Sequence, residues 1–505
     1  MVNYQFTEGT ICAPATIPGT GAISIIRVSG KDALTIADKI IDLKGESLSE
    51  TEGYRLRYGT VFATDGSVLD NVIVSVFRAP HSYTGENSVE ISCHASRFIV
   101  NAILELLVNA GARIAAPGEF TRRAFVNGKM DLAQAEAVAD VIASQSAASH
   151  KVAMNQLKGG FSSELKVLRD KLLKMTSLLE LELDFSEEDV EFASRSELGA
   201  LVNEALSHIG RLTDSFSRGN AIKNGVPVAI VGATNTGKST LMNALLGEDR
   251  AIVSDIAGTT RDTIEEMLNL GGVMFRFIDT AGIRETDEIV EKIGIERTFK
   301  KMDEASIVLG MTDLSRGENS VLADAEYIWD KVNACRAGRE FLLLVNKCDV
   351  GENESVMAGE GHVAGYAGTG FTETGSGAGS AAKTGKMARI EAALRVKGIS
   401  AKLIPISAKT GYGLTVLTEA LAEIGRRITG DTDETLVTNI RHYEALVRAA
   451  TALGRVRDGL QVATLPPDLI AQDLREALYH LGEIVGEIST EEVLGNIFRN
   501  FCIGK

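Results

Sequence analysis

One feature restricts this chain more than any other. The apolar run Val226–Ile230 (VPVAI) leads into Gly232-Ala-Thr-Asn-Thr-Gly-Lys-Ser239. The spacing is that of a G-x4-GK-[ST] phosphate loop in a strand–loop–helix setting. Glycines at 232 and 237 let the backbone wrap a phosphate chain with its N–H groups turned inward. Lys238 supplies a cation to the β- and γ-phosphates, and Ser239 offers a hydroxyl to magnesium. Alternating strand and helix signals continue to about Ile428, which predicts an α/β domain over residues 221–430.

Four further segments complete a nucleotide site. Gly258–Asp262 (GTTRD) lies in a loop with threonine hydroxyls for the metal, and Asp279-Thr280-Ala281-Gly282 ends an apolar strand, its carboxylate placed to hold magnesium through water. Asn346-Lys347-Cys348-Asp349 follows the strand Phe341–Val345, and Ser407-Ala408-Lys409 follows Leu403–Ile406. The last two select the base. Asp349 can accept two hydrogen bonds from the ring N–H and exocyclic amine of guanine, whereas adenine would leave a carboxylate unpaired at about 1–3 kcal/mol. Asn346 braces this loop, the Lys347 stem covers the base, and the Ala408 N–H meets the base oxygen. The expectation is GTP. Ile283 follows the Asp279–Gly282 segment and cannot orient a water as glutamine does, and no arginine finger is evident. Asn235 carries a side-chain oxygen inside the loop. It either holds a monovalent cation that supplies the missing charge or serves as a turn residue.

The rest of the chain divides by style. Residues 1–120 show the short runs Ala22–Val28, Val68–Phe77 and Val89–Cys93 with a helical segment Phe98–Asn109, which predicts an α+β domain. From 121 to 220 glycine is sparse, and Leu165, Leu168, Leu172, Met175 and Leu179 repeat at helical spacing. That is a packing seam of an all-α domain. The acids of Asp184–Asp189 suit the first turn of the next helix. Residues 431–505 are helical again, with Pro466-Pro467 as the main break, so the α/β domain is inserted into a helical one. Gly351–Lys386 carries ten glycines and is expected to be a mobile insertion that bears no phosphate.

Composition bounds the partners. The 505 residues suit roughly three domains. A formal charge of −16 argues against coating nucleic acid by bulk charge. No apolar stretch approaches a membrane span and Met1–Thr10 is not a signal peptide, so no membrane partner is expected. Five scattered cysteines without CxxC spacing argue against disulfides and zinc and for a cytoplasmic location.

Beyond these motifs, Ile26–Gly30 (IRVSG), Ser82–Glu86 (SYTGE), Pro117–Ala137 (PGEFTRRAFVNGKMDLAQAEA), Thr490–Leu494 (TEEVL) and Phe501–Lys505 (FCIGK) are specific segments. With them the chain resembles, over almost its whole length, the family of tRNA-modification GTPases called MnmE or TrmE. The resemblance implies an N-terminal domain that forms a homodimer and binds 5-formyl- or methylene-tetrahydrofolate. It also implies a helical domain and an inserted GTPase domain. The implied partner is the FAD protein MnmG (GidA), with which a carboxymethylaminomethyl or aminomethyl group is added at C5 of the wobble uridine of tRNA. Potassium falls to Asn235, Ser254, Ile256 and Thr259, and magnesium to Ser239 and Thr260. The remaining expected GTP contacts are Thr236, Gly237, Thr240, Asp255, Ala257 and Gly258. Glu291 is the water-positioning residue, with Lys238 and Arg284 beside it in catalysis. Folate falls to Arg27, Glu90, Lys129 and Lys505. Taken singly, Arg27, Glu90 and Lys129 also read as solvated surface charges. Cys502 reads either as a small buried hydrophobe or as a redox group near the folate.

Some positions depart from the family pattern. Thr234 stands where proline is usual, Thr236 replaces a small apolar residue, and Cys93-His94-Ala95-Ser96 replaces Cys-His-Gly-Gly. The alternatives are a ribosome-assembly GTPase binding ribosomal RNA, a membrane-remodelling GTPase of the dynamin type, and a self-contained folate-dependent C1-transfer enzyme.

Overall fold

In a computed structural model the described residues are 9–184, 195–248, 265–278, 302–334, 338–349, 378–430, 434–462, 466–488, 491–499, 501 and 504. They fall into two compact units. One comprises Met1–Ala143, Val152–Asp214 and Asn439–Lys505, and the other Ser144–Lys151 and Ser215–Thr438.

The first unit opens with a sheet of β1 (Ile11–Pro14), β2 (Gly21–Ser29), β3 (Ile41–Asp42), β4 (Arg55–Phe62), β5 (Val68–Phe77), β6 (Ser88–Ala95) and β7 (Arg113–Ile114) in the order β3-β4-β5-β6-β2-β1-β7. Side chains alternate between faces along each strand. Val72, Val74 and Val76 of β5, Val89 and Ile91 of β6, and Ile26 and Val28 of β2 are buried in one core with residues of α1 (Ala33–Asp38) and α2 (Arg97–Asn109). The other face carries Arg27 and Glu90, paired in register, and the exposed Leu56, Tyr58 and Ile73. Strands β2, β5 and β6 and helix α2 lie where the apolar runs predict them. Strand β4 (RLRYGTVF) escapes that reading because its outward positions are apolar, its inward ones include Arg57 and Gly59, and the ladder to β5 holds it.

Helices α3 (Glu119–Val126), α4 (Leu132–Ala143), α5 (Ala147–Leu157), α6 (Gly160–Asp184) and α7 (Arg195–Asn224) follow. Every residue of the expected seam on α6, from Leu165 to Leu179, is buried. Residues 185–189 lie outside the described residues, and the acid in the first turn of α7 is Glu197.

The second unit holds a sheet of β8 (Val226–Val231), β9 (Glu266–Leu270), β10 (Val273–Ile278), β11 (Ile307–Asp313), β12 (Glu340–Asn346) and β13 (Lys402–Pro405), in the order β13-β12-β11-β8-β10-β9. All neighbours are parallel except β9 with β10. Helices α8 (Lys238–Glu248), α9 (Glu318–Ala334), α10 (Ala378–Val396) and α11 (Leu414–Thr429) connect and follow the strands. Both faces are covered, as parallel sheets require. Val228, Leu309 and Leu344 enter one core, and Ala229, Val308 and Val345 the other. The expected insertion 351–386 needs correction at its end. Helix α10 already starts at Ala378. Ala378, Ala381 and Ala382 are strong helix formers, and the buried Ile390 and Leu394 farther along anchor the helix. Residues 350–377 lie outside the described residues.

The chain returns to the first unit through Asn439, whose side chain accepts the Arg441 N–H at 2.9 Å as the cap of α12 (Ile440–Leu460). Helix α13 (Pro467–Val485) carries Pro467 in its first turn, and α14 (Glu491–Arg499) closes the order. A buried ionic cluster joins three of these helices. Arg441 donates to Glu136 Oε1 and Oε2 at 3.0 Å each and to the carbonyls of Glu483 and Ile484, and His442 Nε2 lies 2.6 Å from Glu136 Oε2. Burial alone would raise the Glu136 carboxyl, but His442 and Arg441 outweigh it and hold the group at about 2. A carboxyl held below its unfolded value stabilises the fold above that value. The contribution is therefore complete above pH 4.5 and is lost as pH falls through about 2. Glu136→Gln is expected to cost about 3–5 kcal/mol at pH 7 by leaving Arg441 short of its counter-charge. Urea denaturation of both proteins checks this, and the gap between them closes as the buffer is taken below the pH 4.5 end of that window.

Candidate functional site: a phosphate loop facing two base-reading loops

Parallel strands bring distant motifs to one edge. The register pairs Val231 with Gly310, Asp313 with Asn346, and Val345 with Pro405. The segments after β8, β11, β12 and β13 therefore emerge side by side at the carboxyl ends, where open α/β sheets bind ligands.

The phosphate loop forms the turn before α8. Lys238 Nζ donates to the carbonyls of Gly232 and Ala233 at 2.8 Å each, and burial pushes its ammonium below the usual lysine range. The Thr236 side chain, which stands where a small apolar residue is usual, is fully buried and its hydroxyl donates to Ala233 O at 2.9 Å. The substitution therefore closes a local turn. Asn235 is exposed with φ of 60°, a left-handed conformation that asparagine tolerates. Ser239 lies half-buried in the first turn of α8, and Thr240 is exposed.

Asn346 links this loop to the base-reading segments. Its Nδ2 donates to Thr236 O at 2.7 Å, and its Oδ1 accepts the Ala408 N–H at 3.0 Å. The Ala408 amide, expected to meet the base oxygen, here donates to Asn346. A buried N–H takes the nearest acceptor, and a base oxygen would have to share it. Gly237 has φ of 100°, and a Cβ there would sit 2.4 Å from Asn346 Nδ2. Only glycine lets the brace close. Cys348 N donates to Ile406 O at 3.3 Å, tying the two base loops together. Ser407 is buried, Asp349 half-buried and Lys409 exposed.

Lys347 has φ of 61°, and its Nζ donates to Asp313 Oδ2 at 2.7 Å. Asp313, at the end of β11, also accepts from Ser315 N and Oγ at 2.9 and 2.6 Å. Burial works to raise its carboxyl, but Lys347 and Ser315 hold it below the usual range. Reading motifs alone missed Asp313. Its signal was a carboxylate ending the wholly apolar strand Ile307–Met311. Ser254, Asp255, Ile256, Ala257, Gly258, Thr259, Thr260, Asp279, Thr280, Ala281, Gly282, Arg284 and Glu291 lie outside the described residues.

A second cluster lies on the outer face of the first unit's sheet. Arg27 pairs with Glu90 at 2.8 Å, their side chains 19% and 24% exposed, and the Arg27 guanidinium sits 5.1 Å from the Tyr83 ring centroid and 5.7 Å from that of Phe120. This pair is packed, so the reading as solvated surface charges is wrong for both. Lys129 is exposed and donates to Pro80 O at 3.0 Å. Gly504 packs beside the carbonyl of Pro14. Pro14 and Ala13 of β1 pair with Ile26 and Arg27 of β2. Lys505 and Cys502 lie outside the described residues. Cys12 and Cys93 are buried with thiols pushed up to about 11, by burial and, for Cys93, also by Asp70. His94 of the altered Cys-His-Ala-Ser segment is held by Asp70, with Nδ1 2.7 Å from Oδ1. Among the described residues no cluster of metal-ligating side chains occurs and no helix is long and apolar enough to cross a membrane.

The MnmE helical domain description matches residues 132–502, and GTP-binding protein TrmE N-terminus matches residues 10–129. The chain is 49% identical to the tRNA modification GTPase MnmE of Parabacteroides distasonis, over 98% of this chain and 100% of that protein. It is 48% identical to that of Bacteroides fragilis, over 99% and 100%. The one from Flavobacterium johnsoniae is 45% identical, again over 99% and 100%. With both parts of the chain matched and relatives this similar from end to end, the chain belongs to the tRNA modification GTPase MnmE family.

Proposed function

We propose that this chain is the GTP-hydrolysing component of a tRNA wobble-uridine modification system. With the FAD protein MnmG it adds a carboxymethylaminomethyl or aminomethyl group at uridine C5, and a tetrahydrofolate supplies the one-carbon unit. The observation that carries the nucleotide part is the Asn346 brace between Thr236 and Ala408. It makes one site of the phosphate loop and the two segments that read guanine.

In this reading Asp349 accepts from the N–H groups of guanine while Lys347, held by Asp313, lays its stem along the base. Lys238 exchanges loop carbonyls for β- and γ-phosphate oxygens, an exchange its three ammonium protons permit. The oxygen donors of Ser239 and Thr260 suit magnesium, and those of Asn235, Ser254, Ile256 and Thr259 suit potassium; the two cations, when bound, neutralise charge on the phosphates. Glu291 and Arg284 orient and stabilise at the attacking water. Arg27 and Glu90 present a donor and an acceptor to a pterin, and Lys129 and Lys505 meet its glutamate tail. The exposed Leu56, Tyr58 and Ile73 on the same sheet face support a homodimer through the N-terminal part.

Asp349→Asn keeps one acceptor oxygen but puts an amide donor where the second carboxylate oxygen would accept from guanine's exocyclic amine. GTP affinity is expected to fall by about 100-fold, read by fluorescent-nucleotide titration. Xanthosine triphosphate should recover much of the loss, because its second carbonyl accepts from the new amide. Mass spectrometry of wobble nucleosides tests the cellular role. Cells lacking the protein should carry unmodified wobble uridine, and a normal nucleoside profile overturns the reading.

A further inference from the structure

The carbonyls of the phosphate loop are held by different partners. Those of Gly232 and Ala233 accept from Lys238, and that of Thr236 from Asn346. Between them, Thr234 O accepts from Arg316 Nη2 at 3.3 Å. Arg316 stands at the end of the short 3-10 turn Leu314–Arg316 that follows β11. Its Nε lies 3.8 Å from Asp313 Oδ2, and the turn itself is fastened by Ser315 on Asp313 Oδ1.

Lys238 has a competing duty. When phosphates arrive its ammonium turns toward them and its hold on Gly232 and Ala233 weakens. Among the described residues the acceptors of Arg316 are Thr234 O and Asp313, which are not given up to a phosphate, so its hold on the loop persists. The residue that gains is Asn235, next along the chain, whose left-handed backbone needs restraint on its flanks. Asp313 also offsets the Arg316 charge, which otherwise would oppose a cation bound nearby.

We propose that Arg316 is a positioning residue for the apex of the phosphate loop. By fixing the Thr234 carbonyl it sets the orientation of Asn235, and with it the affinity for an alkali cation and the rate of GTP turnover at limiting potassium. The cation part rests on the reading of Asn235 as a potassium ligand.

The test uses the full chain with Arg316→Ala and Arg316→Lys. GTP hydrolysis is measured against potassium chloride with ionic strength held constant by choline chloride. Amide hydrogen exchange of the phosphate-loop peptide is measured without nucleotide. Arg316→Ala should raise the half-saturating potassium concentration about fivefold, the worth of one hydrogen bond, while turnover at saturating potassium stays close to that of the wild type. It should also speed exchange across the loop. Arg316→Lys, which keeps a cationic donor group, should restore both. Half-saturation and exchange unchanged in Arg316→Ala overturn the proposal. If wild-type turnover ignores potassium, the Asn235 reading fails instead. Loop exchange then decides alone, with faster exchange supporting Arg316 and equal exchange overturning it.

Discussion

The α/β unit depends on a single buried carboxamide. Asn346 donates to Thr236 O and accepts from Ala408 N, and an amide offers a donor atom and a separate acceptor atom at one side-chain end. Aspartate could not donate to the Thr236 carbonyl, and an apolar residue of the same size would orphan two buried backbone groups. The glycine at 237 follows from the same contact, since any side chain would occupy the place of Nδ2. The phosphate loop and the segments after β12 and β13 are therefore mechanically one arrangement. A second buried acceptor, Asp313, extends it by fastening Lys347 and drawing in Arg316.

In the first unit the organising constraint is sheet register. Pairing Arg27 with Glu90 across β2 and β6 puts opposite charges on one face, next to the rings of Tyr83 and Phe120. The chain end reaches this region because Gly504 packs on Pro14. Segments from the front and back of the sequence thus meet at one sheet.

Much of this was legible in advance. The strand before the phosphate loop, the seam from Leu165 to Leu179, the strands Val68–Phe77 and Phe341–Val345 and the break at Pro466-Pro467 announce themselves by periodicity or turn chemistry. Strand β4 did not, because an outer face rich in Leu56 and Tyr58 inverts the usual pattern of apolar-in and polar-out. The start of α10 did not either, since glycines on its N-terminal side masked an alanine-rich helical turn. At the site, motif spacing pointed to Lys238, Asn346 and Asp349. It did not foresee that Asn346 holds the Ala408 amide, and it left Asp313 and Arg316 unremarked.

The sequence alone determined which chemistry is available: a glycine loop for phosphates, a carboxylate for guanine, and family segments running to the terminal lysine. Those are properties of local pattern, set by side-chain type and spacing along the chain. Tertiary structure alone decided how those groups are held before a ligand arrives. Asn346 claims the Ala408 amide, Asp313 claims Lys347, and Glu90 claims Arg27. Such pairings depend on strand order and register, which bring together residues from 34 positions apart at Asp313 and Lys347 to 63 at Arg27 and Glu90. A buried polar group binds whatever acceptor or donor the fold places within about 3 Å, and distance along the chain carries no trace of that choice.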